Sequence, residues 1–169
     1  RLLGYLEGSG RIILREPEAL LSPASKMPGL DGQKMSKSYN NTIALREEPE
    51  AIMQKLRTMP TDPARVRRTD PGNPDVGPVW QLLEVYSDDG VKTWVREGCS
   101  SAGIGCLDCK QPVIDSVLAE LGPVQERAAE FDQDPARVRA IISEGSEAAR
   151  DLAHQTLQEV RAAMGLEYI

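Results

Sequence analysis

The sequence predicts a mostly α fold, and three observations carry that expectation. Aromatic residues make up only 4% of the chain, so the core must be built from Leu, Ile, Val, Ala and Met, which favours packed helices over an aromatic-rich β-sandwich. Apolar residues recur at helical spacing through the C-terminal part. Asp, Pro and Gly stand where helices would start and stop. With 169 residues, 40% of them apolar, the chain can bury the core of one domain or two small ones.

Taken in order, Arg11-Ile12-Ile13-Leu14 reads as a short strand. Residues 22–41 carry Pro23, Pro28, Gly29, Asp31-Gly32 and Asn40-Asn41, which predicts a long surface loop; long ordered loops in compact domains are often functional. Pro49, flanked by Glu47, Glu48 and Glu50, suits the first turn of a helix whose positive N-terminus favours acids. Ile52, Leu56 and Met59 follow at helical spacing, and Pro60 stops the helix. Residues 60–79 form a Pro-rich, Arg-bearing connector. Residues 80–95 predict one or two short helices, broken at Asp88-Asp89-Gly90. Residues 112–131 predict a helix with Ile114, Val117, Leu118, Leu121, Val124, Ala128 and Phe131 on one face. Gly122-Pro123 should kink or break it, because proline loses a hydrogen bond and clashes with the preceding turn. Asp134-Pro135 reads as cap plus first helical residue. Val138, Ile141 and Ile142 mark a buried face that Gly145 ends. Ser146 then caps a last helix with the stripe Ala149, Leu152, Ala153, Thr156, Leu157, Val160 and Met164, and Gly165 stops it. The C-terminal two thirds is expected to be a small helical bundle.

Composition narrows the function. No apolar run approaches the ~18 residues of a membrane span. Arg1 is followed by a short apolar stretch and then by charges, which is not a secretory signal pattern; the first residue is expected for a processed product or part of a longer protein. His154 is the single histidine, so a zinc site with several His ligands is excluded within one chain. Cys99, Cys106 and Cys109 are an odd, clustered set, which points to a reducing compartment rather than a disulfide framework. The net charge of −6 is uneven: residues 1–70 hold 12 Lys+Arg and 9 Asp+Glu, whereas residues 71–169 hold 8 and 17. An acidic C-terminal part is no generic nucleic-acid coat, so any nucleic-acid contact there must be local.

The sharpest motif is Lys34-Met35-Ser36-Lys37-Ser38, preceded by Pro28-Gly29-Leu30-Asp31-Gly32. It places two ammonium groups three residues apart on a flexible turn, with hydroxyls between and after them. Lysine is a point charge that can follow a moving phosphate, and hydroxyls and loop amides add donors. Such a loop can neutralise charge building on a leaving pyrophosphate, which is transition-state electrostatics rather than covalent catalysis. The bland reading of five such residues is a solvated basic loop.

The wider stretch PGLDGQKMSKSYNNT, residues 28–42, resembles the signature loop of the class I aminoacyl-tRNA synthetases, and its wording is similar to the tryptophanyl branch. Thr61-Asp62-Pro63, Arg67-Arg68-Thr69-Asp70-Pro71-Gly72 and Pro78-Val79-Trp80 resemble the segment that follows in that family. Gly145-Ser146-Glu147-Ala148-Ala149 and Met164-Gly165-Leu166 resemble its last helix. The likeness runs from about Pro17 to Leu166; residues 1–16 are not placed by it. It implies that residues 1–45 are the tail of a Rossmann-type α/β catalytic domain with the KMSKS loop, and residues 46–169 an all-α, anticodon-binding bundle. It implies ATP with Mg, tryptophan and tRNA(Trp) as ligands, a cytoplasmic location, and a homodimer for the complete enzyme, with these residues alone expected to be monomeric. Lys34 and Lys37 would act on ATP phosphates, Ser36 and Ser38 as loop donors and Met35 as a packing anchor. The family's HIGH-type motif lies upstream and needs histidines that this sequence does not have, so these residues alone are not expected to catalyse.

Cys99-x6-Cys106-x2-Cys109 resembles a cysteine segment in one branch of that family, where a fourth cysteine precedes the Pro-Val-Trp segment. Here that neighbourhood is Asp75-Val76-Gly77-Pro78. Three thiolates can hold zinc with a fourth ligand or an iron–sulfur cluster; the other reading is three reduced thiols. Arg65, Arg67 and Arg68 are either solvated charges beside Asp62 and Asp70, a contact to the tRNA backbone, or a brace for the loop. Trp80 and Trp94 are expected as core anchors, and the Met residues as core filler. Two other functions stay open: a tyrosyl-type synthetase, and a non-catalytic, metal-stabilised helical binding module.

Overall fold

The structure is a computed structural model, and it describes residues 13–14, 16–22 and 24–166. Its described residues hold no β-strand; one isolated antiparallel bridge pairs Pro28 with Lys34. Five α-helices follow in order: α1 (Pro49–Thr58), α2 (Pro78–Tyr86), α3 (Asp89–Ser100), α4 (Cys106–Gln133) and α5 (Pro135–Ala163). The fold is therefore helical, as expected. Of the strand expected over residues 11–14, Ile13 and Leu14 are not in a strand and the rest lies outside the described residues.

The chain forms two compact units, residues 21–129 and residues 1–20 with 130–169. The core of the first is one cluster. α1 supplies Ile52 and Leu56, α2 supplies Val79, Trp80, Leu82 and Leu83, α3 supplies Val95, and α4 supplies Cys109, Val113, Ile114, Val117 and Leu121. Full burial of each large aliphatic side chain stabilises the unit by about 1.5–3 kcal/mol. Met59 fills the cluster beside α1, and Met27 and Met53 pack against it. Trp80 is buried and its indole Nε1–H donates to Glu84 Oε1 at 3.1 Å, with the Arg96 guanidinium 4.5 Å from its ring centre. Trp94 departs from expectation: it is 45% exposed, because the inward face of α3 is taken by Val95 and Cys99.

The helix ends explain the breaks. Asp88 accepts Val91 N–H at 2.8 Å and so starts α3, which carries Gly90 inside its first turn. Gly105 N–H donates to Asp108 Oδ2 at 2.7 Å, starting α4 at Cys106, earlier than the apolar stripe suggested. Of the kink or break expected at Gly122-Pro123, the break is absent: α4 runs through both Pro112 and Pro123. Each proline removes one backbone bond, while the side chains buried along α4 hold it to the core.

In the second unit, Asp134 accepts Arg137 N–H at 2.9 Å and Pro135 opens α5, as expected. Gly145 does not end a helix and Ser146 does not cap one: α5 is continuous to Ala163. An isolated Gly costs a helix interior only ~1 kcal/mol, less than a break would. Met164 and Gly165 (φ +68°) then close α5, with Gly165 N–H on Ala162 O and Leu166 N–H on Arg161 O, a Schellman pair. The faces expected to be buried along α5 are not: it has no buried residue, and Ile142 and Leu152 are exposed.

Candidate functional site

Residues 27–42 fold into a closed loop inside the first unit. Gly32 N–H donates to Gly29 O at 2.9 Å and makes the tight turn, with Gly32 at φ +81°. Met35 N–H donates to Met27 O at 2.9 Å, and Leu30 N–H to Asn41 O at 2.9 Å. Ser36 is extended and caps the short 3-10 turn Lys37–Tyr39 by accepting Ser38 N–H at 3.3 Å. Asn40 reverses the chain at φ 53°, a conformation that Asn tolerates.

Asn41 is the residue on which the loop closes. It is 3% exposed. Its Oδ1 accepts Ser36 N–H at 2.7 Å, and its Nδ2 donates to Asp31 Oδ1 at 2.7 Å and to Lys34 O at 3.3 Å. The bond from Asn41 is the main reason that the Asp31 carboxyl titrates below its ordinary value. Gly29 lies flat against this side chain: a Cβ at Gly29 would stand 2.9 Å from Asn41 O and closer still to its amide. In sequence Asn40-Asn41 reads only as a chain breaker, because the bonds that Asn41 makes reach residues five to ten positions away and leave no local signal.

The predicted loop residues are thus brought together. Lys34, Lys37 and Ser38 are exposed, and Met35 and Ser36 are half-buried. Met35 shares a cavity of about 170 Å³ with Met27, Leu82 and Leu121. The loop's exit is fastened to helices. Lys55 of α1 pairs with Glu47 at 2.6 Å and donates to Thr42 O at 3.0 Å. Gln125 of α4 donates to Glu47 O at 2.8 Å. Burial pushes the Glu47 carboxyl up, but Lys55 and the Ala44 N–H together hold it below its usual value.

The three cysteines line one cavity of about 30 Å³ behind Trp80, room for a water or two. Cys109 donates its S–H to Cys106 O at 3.1 Å, and the Arg65 guanidinium faces Cys99 Sγ at 3.8 Å. Burial pushes the Cys109 thiol up to about 11, and burial also raises Cys99 despite the nearby Arg65. Among the described residues, no group of three or more His, Cys, Asp or Glu is arranged to hold a metal ion. Asp62 lines the same cavity but accepts the Asn73 and Ala64 amides, and with the Arg65 guanidinium against Cys99 the described residues do not fit a closed zinc or iron–sulfur site.

Arg65 is a brace: its guanidinium donates to Arg68 O at 2.9 Å and Ile104 O at 2.6 Å, tying the connector to the α3–α4 turn. Asp70 accepts Arg67 N–H at 2.7 Å. Arg67 and Arg68 are exposed beside an open cavity of about 370 Å³ that also touches Gly105 and Asp108. His154 is exposed on α5, 2.9 Å from Gln158.

Residues 4–121 match the sequence profile of the class I tRNA synthetases (W and Y). The chain belongs to that family. Within it, the chain is 61% identical over 168 residues to the tryptophan–tRNA ligase of Ralstonia nicotianae, covering 99% of this chain and 42% of that protein. It is 45% identical over 157 residues to the tryptophan–tRNA ligase of Thermotoga maritima, covering 92% and 48%. The chain therefore spans about half the length of the curated relatives it matches. Among solved structures, tryptophanyl-tRNA synthetase from Campylobacter jejuni, complexed with ADP and tryptophan, superposes with a TM-score of 0.72 at 24% identity, over 91% of this chain and 48% of that one. That likeness speaks for the fold. The tryptophanyl-tRNA synthetase of Aeropyrum pernix gives 0.52 at 32% identity over 62% of this chain and 30% of that one.

Proposed function

We propose that these residues are the signature-loop and anticodon-reading part of a tryptophanyl-tRNA synthetase. The complete protein activates tryptophan with ATP, releases pyrophosphate, and transfers tryptophan to tRNA(Trp). The observation that carries this reading is the closed loop that presents Lys34 and Lys37 to solvent, in a chain of the W and Y synthetase family.

In this reading, residues 1–45 end the Rossmann-type catalytic domain and residues 46–169 form the anticodon-binding domain. The division is one of role, since the loop packs in the same compact unit as α1 to α3. Lys34 and Lys37 neutralise the triphosphate as negative charge moves onto the leaving pyrophosphate. Ser36 and Ser38 add hydroxyl donors, and Met35 anchors the loop on the core. Magnesium arrives on the ATP phosphates, which is its usual mode of binding. The cytoplasm, where tRNA is charged, is the location, and the complete enzyme is a homodimer. The bases of the anticodon are read as a single strand on the helical part.

Charging of tRNA tests the proposal. The full-length protein is expected to attach tryptophan to tRNA(Trp) and not tyrosine to tRNA(Tyr). Charging of tRNA(Tyr) with tyrosine would move the assignment to the sister enzyme. Absence of both would leave a helical binding module.

A further inference from the structure

We infer that Asn41 is a positioning residue for the activation step: it sets where Lys34 and Lys37 stand. This rests on the function proposed above and names the residue that makes its site work. Among the described residues the two lysines have no carboxylate partner, and both side chains are exposed. Their positions are set by the backbone that carries them. Asn41 grips that backbone from both sides of Met35: it bonds the carbonyl of Lys34 and the amide of Ser36, the residue next to Lys37. Its third bond goes to Asp31, across the loop. Its own carbonyl takes Leu30 N–H.

One buried side chain thus ties together the entry, the middle and the exit of the loop. Asn is the residue type that does this. Its amide offers an acceptor for Ser36 N–H and donors for Asp31 and Lys34 O on one rigid plane. Alanine offers neither. Aspartate keeps the acceptor but sets a second carboxylate against Asp31. Removing the side chain leaves the Ser36 amide, the Lys34 carbonyl and the Asp31 carboxylate without this partner at once. The lysines then lose their register, and a misplacement of ~1 Å in a charge-stabilising group costs about 100-fold in rate.

The test uses the full-length protein in tryptophan-dependent ATP–pyrophosphate exchange. Asn41→Ala is expected to lower kcat about 100-fold while the KM for tryptophan moves less than about twofold, the mark of an interaction made in the transition state only. Asn41→Asp is expected to fall similarly, and Asp31→Asn/Asn41→Asp to recover part of the loss, because it exchanges donor and acceptor across the same contact. Thermal unfolding shows whether each variant is folded. Should Asn41→Ala fail to fold, the exposed Asp31→Ala weakens the same grip and is expected to lower kcat about tenfold. Wild-type kcat in folded Asn41→Ala, or in Asp31→Ala where that variant stands in, would overturn the inference alone. A parallel rise in the tryptophan KM would also overturn it, as a general defect. A wild-type protein with no exchange would overturn the proposed function, and the inference with it.

Discussion

Lys110 is a buried cation with an unusual task, and Lys110→Met tests it. It is 5% exposed, and its ammonium donates to Arg57 O at 2.6 Å and Met59 O at 2.7 Å. These carbonyls lie at the C-terminal end of α1, where four carbonyls lack helical partners and the dipole favours a cation. Methionine keeps most of the stem volume and removes both bonds. Hydrogen bonds to charged groups contribute about 1.5–3 kcal/mol each, so the gross loss is about 3–6 kcal/mol. Relief of ammonium burial, the same effect that lowers the Lys110 pKa, returns part of it. We expect a net loss of about 2 kcal/mol and a fall in melting temperature of about 5–10 °C. Urea and thermal unfolding of both proteins measure it. A methionine variant as stable as the wild type would refute the reasoning, because the carbonyls of α1 would then need no cation.

Four further outcomes follow from the geometry. Lys37→Ala in the full-length protein should slow tryptophan activation about 100-fold or more and leave tryptophan binding nearly unchanged, as read by exchange kinetics and equilibrium titration; an unchanged activation rate would remove Lys37 from the site. Gly29→Ala should open the loop, because its methyl would overlap the Asn41 amide; faster amide hydrogen exchange at Ser36 reports it. The Cys109 thiol rises from 9.0 to about 11 on folding, so the folded state holds a proton that the unfolded chain releases. Stability should therefore fall as pH climbs from 9 towards 11, and Cys109→Ala should flatten that fall in pH-dependent urea unfolding, with Lys110 acting in the opposite sense. Anaerobically purified protein should carry less than about a tenth of an iron or zinc atom per chain, and metal at one atom or more would show that the cysteines rearrange to bind it.

Much of the fold is legible in sequence where a local signal agrees with burial. Pro49 and Pro60 bracket α1, and Asp88, Asp134 and Gly165 mark helix ends through caps that any reader of side-chain chemistry would expect. The failures come where local signals compete with tertiary packing. Gly122-Pro123 reads as a kink or a break, yet α4 is not broken there, and Leu121 just before it is buried. Gly145-Ser146 looks like a stop and a start, yet α5 is continuous. Trp94 looks like core because of its size, yet its position on α3 turns it outward. Lys34 and Lys37 stand out in sequence through the resemblance of residues 28–42 to the synthetase signature loop, and both are exposed. Asn41 does not stand out, because its importance lies in contacts with residues five to ten positions away, and no single-residue property announces that.

The proposed task of this loop is the activation of tryptophan. The most direct measurement is ATP–pyrophosphate exchange by the full-length protein with each of the standard amino acids in turn. Exchange that depends on tryptophan alone is the predicted result. Exchange with a different amino acid would keep the loop chemistry and contradict the substrate; no exchange with any would contradict the account as a whole.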